Sequence, residues 1–350
     1  MIKKNNIKIP SNINSWWNFG SLISIYIFIQ FIIGFFLSIN YFILNLNNKF
    51  NNSLFIYLNL NFGWIIRIIH RNLTSLIFIL LLIHLYRNIF FYSFINKIIW
   101  ITGIIIIIIY IIISFLGYTL TWTQISYWGI IVITNFISII PLFGKKIIFW
   151  IWGNFKINII LINRFFSLHF ILPIFIFIFI FIHLNIIHNF KSNNPLGLNN
   201  KIDFLNLIPN LIFKDFLIIY IYIYIIINLI FLNPFYFYEY DNFNQINYFK
   251  TPNHIKPEWY FIFFYSILRS IENKFRGLIL IIFSIFLFII IPFIKKFKIQ
   301  NFYFNYWLNF KLIFFIIILF FISLLGSKNI EFPYFLLNKI FIYLYFLFFI

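Results

Sequence analysis

Long apolar runs alternate with shorter polar connections along the whole chain. Each run approaches the ~20 residues that a helix needs to cross the ~30 Å apolar core of a bilayer. Polar or turn-forming residues bound every run, so the pattern predicts transmembrane helices rather than buried strands. We place eight at residues 21–44, 63–90, 98–120, 165–190, 211–232, 276–297, 308–326 and 334–350. The predicted fold is therefore an all-α membrane protein.

Composition agrees with this prediction and excludes several kinds of chemistry. Hydrophobic residues make up 63% of the chain and charged residues 9%, whereas about a quarter of a soluble domain is charged. Cysteine is absent, which excludes disulfides, thiolate-held metals and haem attached through cysteine. The net charge of +19 comes mostly from scattered lysines. Such scatter favours contact with a lipid bilayer over a nucleic-acid partner.

The chain also shows a bias that no bilayer requires. Alanine is absent and valine occurs once, as Val132, while isoleucine, phenylalanine and asparagine are abundant. The scarce residues share GC-rich codons, so the bias indicates mutational pressure in an AT-rich genome. Glycines, arginines and histidines that persist against this pressure are therefore better candidates for physical necessity than the residues around them.

Four of the six histidines lie inside apolar runs at a matched spacing. The interval from His70 to His84 in the second run equals that from His169 to His183 in the fourth. This interval corresponds to about four helical turns, which rise about 21 Å and return almost to the same face. Two crossings separate these runs, so they have the same direction. His70 should therefore lie level with His169, and His84 level with His183.

Two facing imidazoles at each of two depths are the arrangement that holds two haems, each with a histidine on both axial positions. Such iron has no open coordination site and passes electrons. A single intramembrane histidine is more often a hydrogen-bonded core residue or part of a proton relay. The matched spacing favours the haem interpretation.

Glycines repeat the histidine interval on the two neighbouring runs. Gly20 and Gly34 belong to the first, and Gly103 and Gly117 to the third. A helix can cross the edge of a flat haem closely only where no Cβ intrudes. The shared interval therefore links these glycines to the histidines.

Three arginines lie within about a turn of the histidine levels and are suited to pair with haem propionates. They are Arg67, Arg87 and Arg164. Ordinary arginines at a membrane interface would show the same pattern.

Six further segments, spread over nearly the whole chain, carry recognisable motifs. They are residues 11–21 (SNINSWWNFGS), 63–70 (GWIIRIIH), 117–141, 164–173 (RFFSLHFILP), 192–195 (SNNP) and 252–270, which contains PEWY. Together they resemble the cytochrome b family, the membrane subunit of ubiquinol:cytochrome c oxidoreductase, or respiratory complex III.

The resemblance implies two non-covalent b-type haems inside a bundle of the first four helices. His70 and His169 would hold the low-potential haem on the quinol-oxidising side, and His84 and His183 the high-potential haem on the other side. Residues 1–210 would form this bundle with a quinol-site helical loop. Residues 211–350 would carry the remaining helices and the PEWY loop.

The resemblance also implies a site for quinol oxidation, between the PEWY loop and the helical loop after the third span. Glu258 would accept a proton or hydrogen bond from the quinol hydroxyl, with Tyr265, Tyr118 and Gly129 shaping the pocket. Without the motif, Glu258 would be interpreted as a surface acid beside Lys256.

A second implied site reduces ubiquinone near the opposite haem. His188 and Asp215 would deliver protons to the quinone. The implied residues of this site are Trp17, Asn18, Ser21, His188, Ser192, Lys214 and Asp215. On their own, Lys214 and Asp215 would be interpreted as a charge pair at the start of a helix.

The chain departs from the family at several points. Residues 121–123 are Thr-Trp-Thr where the family has Pro-Trp-Gly, and residues 71–74 are Arg-Asn-Leu-Thr where it has a small, glycine-containing run. Asn189 and Glu272 also differ from the family. The change at 121–123 should loosen a stiff turn and add bulk near the oxidation pocket.

Expected partners follow from the same resemblance. They are the Rieske iron–sulfur protein, cytochrome c1 and other complex III subunits, in a homodimeric complex. The codon bias and the lack of a visible secretory signal in residues 1–15 suit the mitochondrial inner membrane, with a bacterial plasma membrane as the alternative. Two other functions stay open, a di-haem membrane anchor of a dehydrogenase and a proton-coupled transporter that uses the histidines as a relay.

Overall fold

The computed structural model describes residues 8–41, 49–197, 203–252, 255–294 and 305–349, most of which are helical. The helices are α1 (Phe19–Ile39), α2 (Lys49–Leu58), α3 (Gly63–Phe90), α4 (Lys97–Thr119), α5 (Gln124–Ile137), α6 (Gly144–Trp152), α7 (Ile159–Phe190), α8 (Leu207–Leu232), α9 (Trp259–Arg269), α10 (Lys274–Ile294), α11 (Tyr306–Gly326) and α12 (Tyr334–Phe348). Short 3-10 turns lie at Ser15–Trp17, Ser93–Ile95 and Tyr240–Asn242. Two short strands, β1 (Lys8–Pro10) and β2 (Phe204–Asn206), pair antiparallel.

Seven of the described helices are long and apolar enough to cross a membrane, and they coincide with the first seven predicted spans. This confirms a multi-pass helical membrane protein. The eighth predicted span forms α12, which has 15 residues and is about 22 Å long. The predicted span ends at 42–44, 295–297 and 350 lie outside the described residues.

The fourth span begins earlier than its hydrophobic pattern suggests. α7 starts at Ile159, because the side chain of Asn158 caps it by accepting a hydrogen bond from the Ile159 amide. The polar residues Asn163 and Arg164 lie inside the helix, although in the sequence they resemble the end of a loop. The capping residue therefore sets the boundary, and the change in hydropathy at Phe165 does not.

The membrane helices pack into two groups. Helices α1, α3, α4, α7 and α8 share the main core cluster, which includes Leu22, Tyr26 and Ile77, all fully buried. A second cluster joins α9, α10, α11 and α12 around Ile322 and Tyr345. Within the first group α1 packs on α3 and α4 packs on α7. The predicted division at residue 210 remains a prediction, since α8 follows it yet packs on α3 and α1.

The strand pair was not part of the all-α prediction. It joins residues 8–10 to residues 204–206, so the N-terminal segment lies beside the start of α8. Ile9, Ile13 and Trp17 are buried there against Leu207 and Leu211. The strands thus bring together two parts of the chain that are far apart in sequence.

Candidate functional site

Two histidines and two glycines form one level of the helix bundle, which we call the first level. The rings of His70 and His169 face each other across the bundle, with centroids 6.3 Å apart and planes at 83°. A Cβ on Gly34 would lie 2.9 Å from Cε1 of His70, and a Cβ on Gly117 would lie 2.5 Å from Cε1 of His169. Any larger residue would displace the imidazole, so both glycines are required for this packing.

A second level repeats this packing about 21 Å away along the helix axes. Gly20 lies against His84 and Gly103 against His183, where an added Cβ would be 3.3 Å and 3.4 Å from the respective Cε1 atoms. His84 and His183 are close enough to interact electrostatically. The predicted pairing of glycines with histidines is therefore present at both levels.

The first level has the donor set that a haem iron needs. An imidazole nitrogen binds a first-row metal ion at about 2.0–2.1 Å, so rings 6.3 Å apart leave room for one ion between them. His169 Nδ1 donates to the Ile113 carbonyl at 2.9 Å, which leaves Nε2 available as a ligand. His70 Nδ1 is buried and has no hydrogen-bond partner among the described residues.

The second level offers a matching set. Thr102 Oγ1 lies 2.7 Å from His183 Nδ1, which again leaves Nε2 for a metal. His84 Nδ1 is buried and has no partner in the described parts of the chain. Those parts contain no group of three histidine or acidic side chains that could hold a metal ion. Two imidazoles at each level, without a third protein ligand, therefore fit a haem better than a bare ion.

The predicted propionate partners divide into two groups. Arg67 lines the cavity beside the first level and donates to the carbonyl of Ser53. Arg87 is buried near the second level, with its guanidinium 5.0 Å from the ring of Trp17. Arg164 instead donates to main-chain carbonyls in the last turn of α6. The structure thus leaves two of the three arginines at the histidine levels.

A largely apolar cavity adjoins the first level and extends to the PEWY motif. Its lining includes both first-level histidines together with Tyr118, Glu258 and Tyr260. The cavity therefore places an acidic side chain beside the imidazole pair.

Glu258 is the residue immediately before α9 and is 5% exposed. Its Oε1 accepts a hydrogen bond from Nη2 of Arg71 at 2.9 Å. Lys256, which lies two positions earlier, pairs with Glu239 at 2.9 Å instead. The alternative in which Glu258 is a surface acid beside Lys256 is therefore wrong.

Burial changes the acidity of this carboxyl group. Loss of solvent raises the pKa of Glu258 above its usual value, and the positive charge of Arg71 partly opposes that rise. A carboxyl group in this environment exchanges its proton at a higher pH than a solvated glutamate. That property suits a residue that accepts and later releases a proton.

Two of the three residues expected to shape the oxidation pocket lie near Glu258. Tyr118 lines the cavity, and a Cβ on Gly129 of α5 would lie 3.8 Å from its ring. Tyr265 instead contacts Arg269, whose guanidinium lies 5.5 Å from the tyrosine ring. The structure therefore brings Tyr118 to the cavity, with Gly129 packed on its ring. Tyr265 is not among the residues that line the cavity.

Most of the second predicted site also comes together. Asp215 accepts hydrogen bonds from Ser21 Oγ at 2.7 Å and from the Asn18 amide. Lys214 Nζ donates to the Ile13 carbonyl at 3.0 Å, which ties α8 to the N-terminal segment. Trp17 packs nearby in the same segment. The strand pair explains how residues so distant in sequence meet.

The remaining two members of that site, His188 and Ser192, lie on or just after the last turns of α7. His188 is exposed there. No hydrogen bond or ion pair joins either residue to Asp215 in the part of the chain that the structure describes.

The unusual turn at residues 121–123 is stabilised without proline or glycine. Trp122 takes a left-handed conformation, with φ of 53°, and is 2% exposed. Thr123 and Ser126 form a reciprocal cap on α5. Thr123 Oγ1 also donates to Asn242 Oδ1 at 3.2 Å, which ties α5 to the loop that precedes Glu258. The expected loosening of the turn is therefore offset by capping and burial.

Three polar residues that contact the histidines or Glu258 were not among the predicted site residues. Gln30 Nε2 donates to the His70 carbonyl at 2.7 Å, Thr102 contacts His183 and Arg71 pairs with Glu258. A lone amide in an apolar span is a signal that could have indicated Gln30. Arg71 was visible only as a departure from the family pattern.

Comparisons with known proteins agree with this geometry. A family profile described as Cytochrome b/b6/petB matches residues 4–191, and one described as Cytochrome b(C-terminal)/b6/petD matches residues 245–346. Cytochrome b of Myzostoma seymourcollegiorum is 42% identical over 289 residues, which cover 83% of this chain and 76% of that protein. A chain of a hyperthermophilic respiratory complex III superimposes with a TM-score of 0.92 at 25% identity, over 98% of this chain and 91% of that one.

The family profiles cover the histidine levels and the PEWY motif, while residues 192–244 lie between the two matches. The first spans all four paired histidines and glycines, and the second contains the PEWY motif. The chain belongs to the cytochrome b family.

Proposed function

We propose that this chain is the membrane electron-transfer subunit of a complex III-type assembly that oxidises ubiquinol on one side of the membrane and reduces ubiquinone on the other. The observation that carries the proposal is the double set of paired histidines, each packed on a glycine and repeated at the same interval on both helices. Family membership and the likeness to a respiratory complex III chain support it.

His70 and His169 would hold one non-covalent b-type haem, and His84 and His183 the other. Arg67 and Arg87 would offset the charge of the propionates, since each lies at a different level. A haem held by two histidines would supply one-electron transfer and would have no open coordination site for oxygen. The glycines keep the helices close enough for the imidazoles to reach the metal.

Glu258 would accept the hydroxyl proton of ubiquinol in the cavity beside the first level. Its burial and the resulting rise of its pKa fit a group that takes a proton and then passes it to solvent. Tyr118 and Gly129 would set the width of the pocket. Tyr265 remains a predicted member of this pocket.

Asp215 would support quinone reduction near the second level. Its carboxylate is oriented by Ser21 and Asn18, while Lys214 and Trp17 stabilise the segment that carries them. His188 and Ser192 would complete the site once quinone binds. Taking protons from one side and releasing them on the other would couple electron flow to the membrane potential, which costs about 2.3 kcal/mol per charge per 100 mV.

The assembly would include a Rieske iron–sulfur protein and cytochrome c1 in a homodimeric complex of the mitochondrial inner membrane. The family assignment and the structural likeness to a complex III chain support this part of the proposal.

Reduced-minus-oxidised spectra of the purified assembly test the proposal, combined with the rate of ubiquinol oxidation. We expect two b-type signals, both reducible by ubiquinol. Absence of b-type absorbance would exclude both haem functions and favour a proton-coupled transporter. Two haem signals that ubiquinol cannot reduce would favour the membrane anchor of a dehydrogenase.

A further inference from the structure

Arg71 connects the membrane bundle to the loop that carries Glu258. It follows His70 on α3, and its Nη2 lies 2.9 Å from Oε1 of Glu258. The same nitrogen donates to the carbonyl of Phe237 at 3.3 Å. The guanidinium also stacks on the ring of Tyr238, 3.1 Å from its centroid. One side chain therefore makes three kinds of contact with the segment between α8 and α9.

Neighbouring contacts fix the same segment. Asn72, the next residue on α3, donates to the carbonyl of Pro234 at 3.0 Å, and Thr123, just before α5, bonds Asn242. The backbone of the loop is therefore anchored independently of Arg71. Removing the guanidinium should change the carboxylate environment more than the path of the chain.

Several ionisable groups surround Glu258, but their charges do not replace that of Arg71. The neighbouring carboxylates carry the same sign as Glu258, and Lys256 is already paired with Glu239. The ionisable groups that interact with Glu258 or Arg71 from the packed elements are Arg67, Tyr118, Tyr238, Glu239 and Tyr260. Among the described residues, Arg71 is the cation that forms a salt bridge with Glu258.

We propose that Arg71 is a positioning residue for quinol oxidation: it holds Oε1 of Glu258, keeps the carboxylate ionised in the apolar cavity and orients it to accept the proton of a quinol hydroxyl. This inference rests on the proposed function of Glu258. Its chemical basis is that a buried carboxylate without a counter-charge takes up a proton. A carboxyl group that is already protonated cannot accept the hydroxyl proton of the substrate.

The sign of the pH effect follows from this arrangement. Burial already raises the pKa of Glu258, and Arg71 opposes the rise. Loss of Arg71 therefore raises the pKa further, and the ionised form is lost at a higher pH. The ionised form is the proton acceptor. As the pH is lowered, the rate of quinol oxidation should therefore begin to fall at a higher pH in the variant than in the unsubstituted complex.

The experiment compares Arg71→Gln and Arg71→Lys in the assembled complex, with ubiquinol oxidation measured across pH. We expect Arg71→Gln to move the acid limb of the turnover profile upward by about one pH unit, a tenfold change in ionisation equilibrium. Arg71→Lys should show only a small part of that shift because it retains the charge. Lys250→Gln is the matched control, since it removes an exposed cation from the same loop and should leave the limb unmoved.

Glu258→Gln separates this inference from the function on which it rests. If Glu258→Gln slows oxidation but Arg71→Gln leaves the acid limb in place, Arg71 has no positioning role and the proposed function of Glu258 stands. If Glu258→Gln changes nothing, the function of Glu258 fails and the inference fails with it. In a Glu258→Gln background, the inference requires that Arg71→Gln cause no additional pH shift.

A second measurement applies if Arg71→Gln does not assemble. Infrared difference spectra of the unsubstituted complex and of Glu258→Gln identify the carboxyl signal of Glu258 at neutral pH. The inference requires an ionised carboxylate before ubiquinol binds. A protonated Glu258 in the resting complex would overturn it, whatever the behaviour of the Arg71 variants.

Discussion

The two histidine levels contain the same residue types but differ in how tightly they are packed. At the first level, an added glycine Cβ would lie 2.5 Å and 2.9 Å from the nearest imidazole carbon, against 3.3 Å and 3.4 Å at the second. The first level also adjoins a cavity with a buried carboxylate, whereas the second lies near a buried arginine. A repeated histidine interval thus sets two similar levels, and the connecting segments make them chemically different.

The histidines of α3 and those of α7 also differ in their hydrogen bonds. The histidines of α7 both have partners for Nδ1, a carbonyl for His169 and a hydroxyl for His183. Of the α3 histidines, His84 has none among the described residues, whereas the ring of His70 lies beside the backbone of Gln30. Since a bonded Nδ1 fixes the ring orientation, the ring of His183 is held in place more firmly than that of His84.

Removing a histidine should have the largest effect and should separate the levels. His84→Ala is expected to abolish one b-type signal and retain the other, because each haem needs two axial ligands. His70→Ala is the matched variant and should remove the opposite signal. Reduced-minus-oxidised spectra measure both, and two full haem signals in either variant would contradict the ligand assignment.

Substitutions at the two carboxylates should distinguish the chemistry of the levels. Glu258→Gln removes the proton acceptor beside the first level and should slow ubiquinol oxidation by about 10²-fold. Both haems should remain reducible through the opposite site. Stopped-flow kinetics with the two sites measured separately provide the readout. Asp215→Asn should instead slow ubiquinone reduction and leave ubiquinol oxidation in place. An equal loss of both reactions in both variants would contradict the assignment of separate sites.

Glycine substitutions test the difference in packing directly. Gly117→Ala places a Cβ 2.5 Å from His169, whereas Gly103→Ala on the same helix places one 3.4 Å from His183. Overpacking of this kind costs about 1–3 kcal/mol, so Gly117→Ala should lower first-level haem content while Gly103→Ala stays near the unsubstituted protein. Haem-to-protein ratios check this, and equal losses would remove the distinction between the levels.

The smallest effect is expected at the hydrogen bond to His183. Thr102→Val removes the hydroxyl that contacts Nδ1, and loss of such a partner typically weakens metal affinity by about 10-fold. Thr102→Ser keeps the hydroxyl and serves as the control. Haem retention during dilution measures the difference, and identical retention in the two variants would show that the bond does not fix the ring.

Much of this architecture could be predicted from the sequence because periodic features translate directly into geometry. The interval between His70 and His84 predicts two levels whichever residues surround them, and apolar runs predict the membrane helices. Contacts between distant segments have no such period. The strand pair that brings Asn18 to Asp215 and the salt bridge between Arg71 and Glu258 depend on loop paths. The start of α7 shows the same limit, since a single capping residue, Asn158, overrides the change in hydropathy.

An experimental density map of the purified assembly would show directly whether the histidine levels hold haem. We expect two porphyrins about 20 Å apart along the helix axes, one between His70 and His169 and the other between His84 and His183. Each iron should have imidazole nitrogen on both faces. A map with no porphyrin, with one, or with iron bound by any other residues would contradict the assignment of the four histidines as haem ligands.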